Sequence, residues 1–443
     1  MMQYKKYQQY RDSGVEWIGE VPGHWSISKL KYMSVYRNGY AFKSDDYVED
    51  GIPIIRIGDI KEEINLDSTK KIPIEFLPEV KSFLIKKWDI LIALTGATIG
   101  KSCIYNIDDI ALLNQRVGAI TAKENQKYLY YYISSDIFKK YVTLLCDGGA
   151  QENIGKNEIG SLAIPQFSYG EQTQIANFLD QKTAEIDSLI ADKEKLISLL
   201  EEQRQAIITE AVTKGLDPNV KMKDSGVEWI GEIPDEWDVK RLKDSCIINP
   251  NKSELKVNDD IEVTFLPMEN IISSGVIDTS ITKNISEVYS GYTYFREEDI
   301  IVAKVTPCFE NGNISIAYGL SNGIGFGTTE LHVLRSKDKF DNRFIFYVLQ
   351  SNRFKLEGIA SMYGVAGLKR IPTEFVQNFK FAVPAIEEQK EIANFIDKKI
   401  KEISQIKNEI VLQINKLKEY RQSLIFEAVT GKIDVRNVAA EKI

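Results

Sequence analysis

Two long stretches carry apolar residues at steps of three and four, and the rest of the chain is arranged around them. From Ile392 such residues recur at Ile396, Ile400, Ile403, Ile406, Ile410, Ile414, Leu417 and Leu424. That spacing lines one face of an α-helix and fits a coiled-coil seam. The earlier stretch is less regular: Ile175, Leu179, Ile186, Leu189, Leu196, Leu200, Ile207 and Ala211, with Lys182 and Lys193 interrupting. Neither contains Pro or Gly until Gly215 and Gly431, which read as stop signals. The pattern predicts helices over about 172–213 and 388–430, each ~60 Å long at 1.5 Å per residue. A helix that long with one apolar stripe needs a cover. The economical cover is the other helix, packed antiparallel, with globular blocks held apart by the pair.

The blocks between are patterned differently. Residues 26–165 and 238–384 mix short β-branched runs with Gly, Pro and Asn punctuation, which predicts α/β domains with modest sheets. In the first, Ile52–Ile57, Asp89–Leu94, Ile99–Tyr105 and Arg116–Thr121 read as strands and Lys127–Val142 as a helix. In the second, Val263–Pro267, Asp299–Val305, Ile314–Tyr318 and Leu331–Arg335 read as strands, with a helix near Asn342–Lys355. The order of elements agrees, whereas the loops barely do.

A duplication explains the agreement. Asp12-Ser-Gly-Val-Glu-Trp-Ile-Gly-Glu-Val-Pro-Gly-His-Trp25 returns as Asp224-Ser-Gly-Val-Glu-Trp-Ile-Gly-Glu-Ile-Pro-Asp-Glu-Trp237, and holds four of the five tryptophans. Glu171-Gln172 with Ile175-Ala-Asn-Phe-Leu-Asp180 matches Glu388-Gln389 with Ile392-Ala-Asn-Phe-Ile-Asp397. Arg204-Gln-Ala-Ile-Ile-Thr-Glu-Ala-Val-Thr213 matches Arg421-Gln-Ser-Leu-Ile-Phe-Glu-Ala-Val-Thr430. Two copies of so long a unit mean two domains on a shared framework, not a solenoid. The segments are 1–25, 26–165, 166–237, 238–384 and 385–443. Because the Trp motif is the same in both halves, it reads as a joint docking each block onto the helices.

Composition narrows the chemistry. The chain has 443 residues and is 43% hydrophobic, enough for two or three cores. No apolar run reaches the ~18–20 residues of a membrane span, and the start lacks a signal-peptide core. Cys103, Cys146, Cys246 and Cys308 are scattered and only two histidines occur, which argues against a zinc site or disulfide framework and for a cytoplasmic protein. Residues 166–236 hold 7 Lys and Arg against 15 Asp and Glu, a balance of −8, equal to that of the whole chain. Everything else is neutral, which permits a local basic face without strong nonspecific phosphate affinity.

Several motifs invite catalysis and fail. Gly96-Ala-Thr-Ile-Gly-Lys-Ser102 has three residues between its glycines where a phosphate loop has four, and it continues as a strand. Gly323-Ile-Gly-Phe-Gly327 runs into a strand where a dinucleotide loop needs a helix, and reads as a turn-rich surface loop. Asn249-Pro-Asn is not an amino-methyltransferase motif. Pro234-Asp with Asp238-Val-Lys240 has carboxylates too close for a nuclease metal site, and its sister repeat lacks them. His24 and His332 sit in no nucleophile motif.

Duplicated halves, paired long helices and divergent blocks resemble the specificity subunit of a type I restriction–modification enzyme. The repeated Trp motif resembles the family's lead into each target recognition domain. Asp89-Ile-Leu-Ile-Ala with Thr95-Gly-Ala-Thr-Ile-Gly-Lys101, and Leu113-Asn-Gln-Arg116, resemble elements inside one class of these domains. Asp299-Ile-Ile-Val-Ala-Lys-Val-Thr-Pro-Cys-Phe-Glu-Asn-Gly312 with Gly327-Thr-Thr-Glu330 resembles another. The stretches from Ile164-Pro and Val383-Pro into each Glu-Gln resemble the family's exits into the helices.

The resemblance implies an α/β fold with two target recognition domains separated by two long antiparallel helices. It implies a non-catalytic subunit that reads double-stranded DNA. Two modification subunits would carry S-adenosylmethionine and the adenine methyl-transfer site. Two restriction subunits carrying the ATP- and Mg-dependent translocase and nuclease are optional partners. The chain itself would bind no cofactor and no metal. Each domain reads one half of a bipartite target and the helices set the gap. Since the blocks differ, the target is asymmetric, whereas identical readers would give a palindrome.

Base edges need the donor and acceptor patterns of Arg, Lys, Asn, Gln and Thr on loops with reach. The candidates in the first domain are Thr95, Thr98, Lys101, Gln115, Arg116, Gln151, Asn153 and Lys156. In the second they are Lys304, Thr306, Asn311, Asn313, Thr328, Thr329, Lys369 and Arg370. Each could instead cap a turn or face solvent. Two other readings stand beside this one: the recognition arm of a methylation-only or orphan system, and a helical scaffold whose blocks bind protein.

Overall fold

A computed structural model describes residues 4–61, 64–145, 153–255, 261–271, 275–365 and 368–436. The chain forms two compact units, Met1–Lys193 with Leu412–Ile443, and Glu194–Val411. The same local logic builds each.

In the first unit the strands are β1 (Ser34–Asn38), β2 (Ile52–Ile55), β3 (Lys70–Ile72), β4 (Ile90–Ala93), β5 (Ser102–Ile104), β6 (Leu112–Leu113) and β7 (Val117–Ala122). One sheet runs β1-β7-β4-β5, all antiparallel. The other runs β3-β2-β6, with β2 and β6 parallel. All four β4 residues are buried, which is why Ile-Leu-Ile-Ala is an unbroken apolar run and does not alternate.

The second unit contains β8 (Cys246–Ile248), β9 (Glu262–Leu266), β10 (Thr282–Asn284), β11 (Thr293–Arg296), β12 (Ile300–Ala303), β13 (Ile314–Ile316), β14 (Ile324–Gly327) and β15 (Leu331–Ser336). Its sheets run β8-β15-β12-β13 and β10-β9-β14-β11, with β9 and β14 parallel. The first of these has the order and pairing of β1-β7-β4-β5, so one topology underlies two unlike sequences. Gly323–Gly327 is not the surface loop its glycines suggest. It is mostly β14, and a Cβ on Gly325 would lie 2.2 Å from the Phe295 ring. Glycine there admits the aromatic packed across the sheet.

An aspartate anchors each antiparallel sheet. Asp89 and Asp299 are both buried and close a turn whose preceding residue, Trp88 or Glu298, has positive φ. Asp89 accepts from Thr121 Oγ1 at 2.6 Å and pairs with Arg37 on β1. Asp299 accepts both prongs of Arg335 on β15 at 2.7 Å. A buried carboxylate needs such partners, and the two domains supply the arginine from different strands.

Each block's expected single helix is two. The break falls at Ser135 between α1 (Gln126–Ser134) and α2 (Asp136–Leu144), and at Ser351 between α3 (Asn342–Gln350) and α4 (Asn352–Ser361). Both serines are extended, and their hydroxyls accept the N–H of Phe138 and Phe354. A serine that caps a new helix ends the old one.

The long helices span Tyr169–Lys214 and Ile386–Val429, 46 and 44 residues. In the first unit Asp187 pairs with Arg421, and Lys193 donates to Gln413 at 2.6 Å. One number rises as the other falls, so the packing is antiparallel. In the second unit Lys407 pairs with Glu201 at 3.5 Å. The apolar stripe is corrected at three positions: Leu189, Leu196 and Ile406 are exposed, and Ile190 is buried where Leu189 was expected.

The repeated Trp motif is the joint. Trp25 is 1% and Trp237 2% exposed. Trp25 stacks on Phe167 with ring centroids 3.8 Å apart, and Trp237 donates Nε1 to Glu388 at 3.0 Å. The helix-stopping glycines pack against the same tryptophans. Gly431 (φ +72) would place a Cβ 2.4 Å from Pro22 Cδ, and Gly215 (φ +76) one 3.2 Å from Trp237 Cζ2.

Candidate nucleic-acid interface

In the second unit three loop segments converge where β12 ends and β15 begins. Lys304 donates its N–H to Glu330 O at 3.0 Å, and Ile371 donates to Lys304 O at 2.9 Å. The hairpin β16 (Tyr363–Val365) and β17 (Leu368–Arg370) is thereby held beside β12. Thr306 N–H reaches Lys369 O, and Lys369 N–H returns to Thr306 Oγ1, each at 3.0 Å. Glu330 accepts Arg370 in a fork, Nε on Oε2 and Nη2 on Oε1, both at 2.8 Å. Thr328 Oγ1 accepts the Glu330 N–H, and Thr329 beside it is exposed. Asn313 O takes the Ala303 N–H, while Asn311 sits exposed on the same loop.

The first unit builds the same corner. Leu94 N–H reaches Arg116 O and Ile154 N–H reaches Leu94 O, both at 3.0 Å. Thr95 bridges to Asn153, and Thr98 Oγ1 donates back to Thr95 O. Ala93 donates to Lys101 O, and Gln115 to Tyr40 O. Lys101, Gln115, Arg116 and Asn153 are exposed. Gln151 lies outside the described residues. Lys156 opens the short helix Lys156–Ser161 and lines a 410 Å³ cleft with Lys31, Tyr36 and Lys123, whose walls include no other candidate.

Backbone bonds put the two corners in register. Leu94 corresponds to Lys304, Thr95 to Val305, Lys101 to Asn313, Arg116 to Glu330 and Asn153 to Arg370. One scaffold thus presents different side chains at matched ladder positions. Among the described residues Lys101, Arg116, Lys304 and Lys369 form no salt bridge, and Lys101, Arg116 and Lys369 are exposed.

Two residues of this corner escaped sequence reasoning. Glu330 was legible only as part of Gly327-Thr-Thr-Glu330, and its carboxyl is held below the usual range by the Arg370 guanidinium. His332 is buried, and burial lowers its pKa to about 4. Its Nε2 donates to Ile371 O at 3.2 Å, leaving Nδ1 to accept from Asn249. A neutral histidine so placed braces the hairpin's exit.

Among the described residues no three His, Cys, Asp or Glu side chains are grouped to hold a metal. Gly96–Thr98 is a 3₁₀ turn leading into β5, not into a helix that could cradle phosphate. No helix among the described residues is long and apolar enough to cross a membrane.

The family profile described as "Type I restriction modification DNA specificity domain" matches twice, at residues 22–198 and 234–416. The chain belongs to this type I specificity family. Its two copies fall on the two halves that the duplicated motif delimits. A specificity-family relative, the type I restriction enzyme EcoAI specificity subunit of Escherichia coli, is 40% identical over 165 residues, 36% of this chain. That match spans about a quarter of the relative's length, 27%. The StySPI specificity subunit of Salmonella potsdam is 22% identical over 94% of this chain and 90% of its own length. A solved structure described as "Structural basis underlying complex assembly and conformational transition of the type I R-M system" shares the fold. Its TM-score is 0.66 at 16% identity, covering 92% of this chain and 98% of that one.

Proposed function

We propose that this chain is the DNA-reading subunit of a type I restriction–modification complex, with each domain reading one half of an asymmetric bipartite target. The observation that carries this is the matched corner. The same backbone ladder holds Leu94, Arg116 and Asn153 in one domain and Lys304, Glu330 and Arg370 in the other. Readers with a common frame and different donors and acceptors suit two different half-sites.

In this reading the chain is non-catalytic and cytoplasmic. S-adenosylmethionine, ATP and Mg belong to the partner subunits, two for modification and two optional ones for restriction. The long helices set the gap and dock the modification subunits. Exposed Leu196, Leu199, Ile406 and Val411 in the second unit supply apolar surface suited to such docking.

The test is methylation of a randomised duplex library by the chain with its modification subunits. One bipartite, asymmetric target is expected, and the purified chain alone should methylate nothing. Replacing residues 26–165 with the first domain of a relative should change one half-site only. Change in both halves, or absence of any selected sequence, overturns the reading.

A further inference from the structure

Arg370 is the arginine candidate that the fold has already fixed in place. Its Nε and Nη2 both donate to Glu330, which uses one long edge of the guanidinium. Guanidinium has five N–H donors in a planar fork. The edge formed by Nη1 and the outward hydrogen of Nη2 is left, and Nη1 makes no hydrogen bond among the described residues. The Arg370 side chain is 37% exposed and that of Glu330 26% exposed, so the pair lies at the surface and is within reach of a ligand.

The backbone holds that posture. Arg370 bridges to Val305, Lys369 is bonded to Thr306 in both directions, and Glu330 is tied through its N–H to Thr328 and its carbonyl to Lys304. Tyr363, 62% exposed, stands opposite Arg370 in the hairpin register. A two-stranded ribbon of this kind fits the major groove of B-DNA. These bonds hold the backbone at Arg370, while Glu330 takes the Nε–Nη2 edge of its guanidinium.

We propose that Glu330 and Arg370 form a buttressed guanine-reading site, in which the free guanidinium edge donates to O6 and N7 of one guanine in the half-site read by the second domain. This rests on the DNA-reading function proposed above. Two parallel N–H donors match the two guanine acceptors and no other base's major-groove edge. The carboxylate keeps the arginine from collapsing onto a phosphate, which is where an unbraced cation would settle. The first domain lacks the device: Arg116 itself stands at the ladder position of Glu330, with no acid behind it among the described residues.

The experiment uses the full chain with its modification subunits and compares base preference across the whole target for wild type, R370Q, R370K and E330Q. Wild type should require a G·C pair at one position of the second half-site. R370Q and R370K should lose discrimination there by roughly 5- to 150-fold, the range for a bidentate pair, and leave every other position unchanged. E330Q should weaken the same position and no other. Replacing that guanine with 7-deazaguanine, which lacks the N7 acceptor, should impair methylation by wild type but not further impair R370Q.

Two outcomes overturn the proposal: an unchanged preference in R370Q, or a loss spread evenly over all positions. Should R370Q fold poorly, R370K and the 7-deazaguanine substitution decide it. If wild type selects no sequence at all, the DNA-reading function fails, which is distinct from a selected target that ignores Arg370.

Discussion

Tyr131 donates its hydroxyl to Asp180 at 2.8 Å, joining the first recognition domain to the helix that follows it. The second half repeats the contact with Tyr347 and Asp397, and a basic residue four positions earlier, Lys127 or Arg343, takes the other carboxylate oxygen. The joint is thus conserved in geometry across the duplication, although the helices that supply it differ in sequence.

Removing that hydroxyl should weaken the joint measurably. Tyr131→Phe leaves the ring in place and Asp180 still paired with Lys127, so the expected loss is about 1.5–3 kcal/mol for the hydrogen bond to a charged group, with the Thr183 Oγ1 contact at 3.2 Å lost beside it. Urea denaturation of the full chain reads it. A double-mutant cycle with Asp180→Asn should show coupling, and additive losses would mean the contact contributes nothing.

The two helix-stopping glycines should not be equivalent. Alanine at either must adopt positive φ, which costs about 1–2 kcal/mol. At Gly215 the new methyl meets the edge of Trp237 at 3.2 Å and Glu388 Oε1 at 3.4 Å, whereas at Gly431 it lies 2.4 Å from Pro22 and 3.0 Å from Trp25. G431A should lower the thermal midpoint more than G215A does. Equal shifts would show that Pro22 moves aside freely.

His332 predicts a pH dependence of the second unit. Its folded pKa is near 4 against 6.5 for the unfolded chain, so between these values the unfolded state binds more protons. Stability is then flat with respect to this group above pH 6.5 and falls as pH drops toward 4, by an amount of order 3 kcal/mol. Thermal melts from pH 7.5 to 4 should show a shallower decline for His332→Gln than for wild type. Parallel curves would remove His332 as the cause.

Helix length should tune the gap between half-sites. Four residues inserted near Thr183-Ala-Glu-Ile186 add ~6 Å and about one turn, which keeps the apolar stripe nearly in phase. At about 3.4 Å per base pair, the tolerated gap should lengthen by at most ~2 base pairs. Two inserted residues rotate the stripe by about half a turn and should damage assembly. Methylation of targets whose gap varies by single base pairs measures both, and an unchanged preference in an active four-residue variant refutes the ruler.

The chain's framework was written locally. Helix periodicity, the terminating glycines and the repeated Trp motif are contiguous signals, so duplication and the two long helices follow from spacing alone. Even there packing had the last word: which of Leu189 and Ile190 turns inward is set by the facing helix, since the two neighbours differ by only about 100° around the axis. The loop corner was legible as a set of loops but not as a cluster. Lys304, Glu330 and Arg370 meet through strand pairing across 66 residues of chain, and nothing in their local sequence encodes that pairing. The same holds for the buried Asp89 and Asp299, which take their arginine from Arg37 in one domain and Arg335 in the other. A buried charge demands a partner, but many positions on a sheet can supply it. Local sequence determines which elements form, and only the folded sheet decides which side chains face one another.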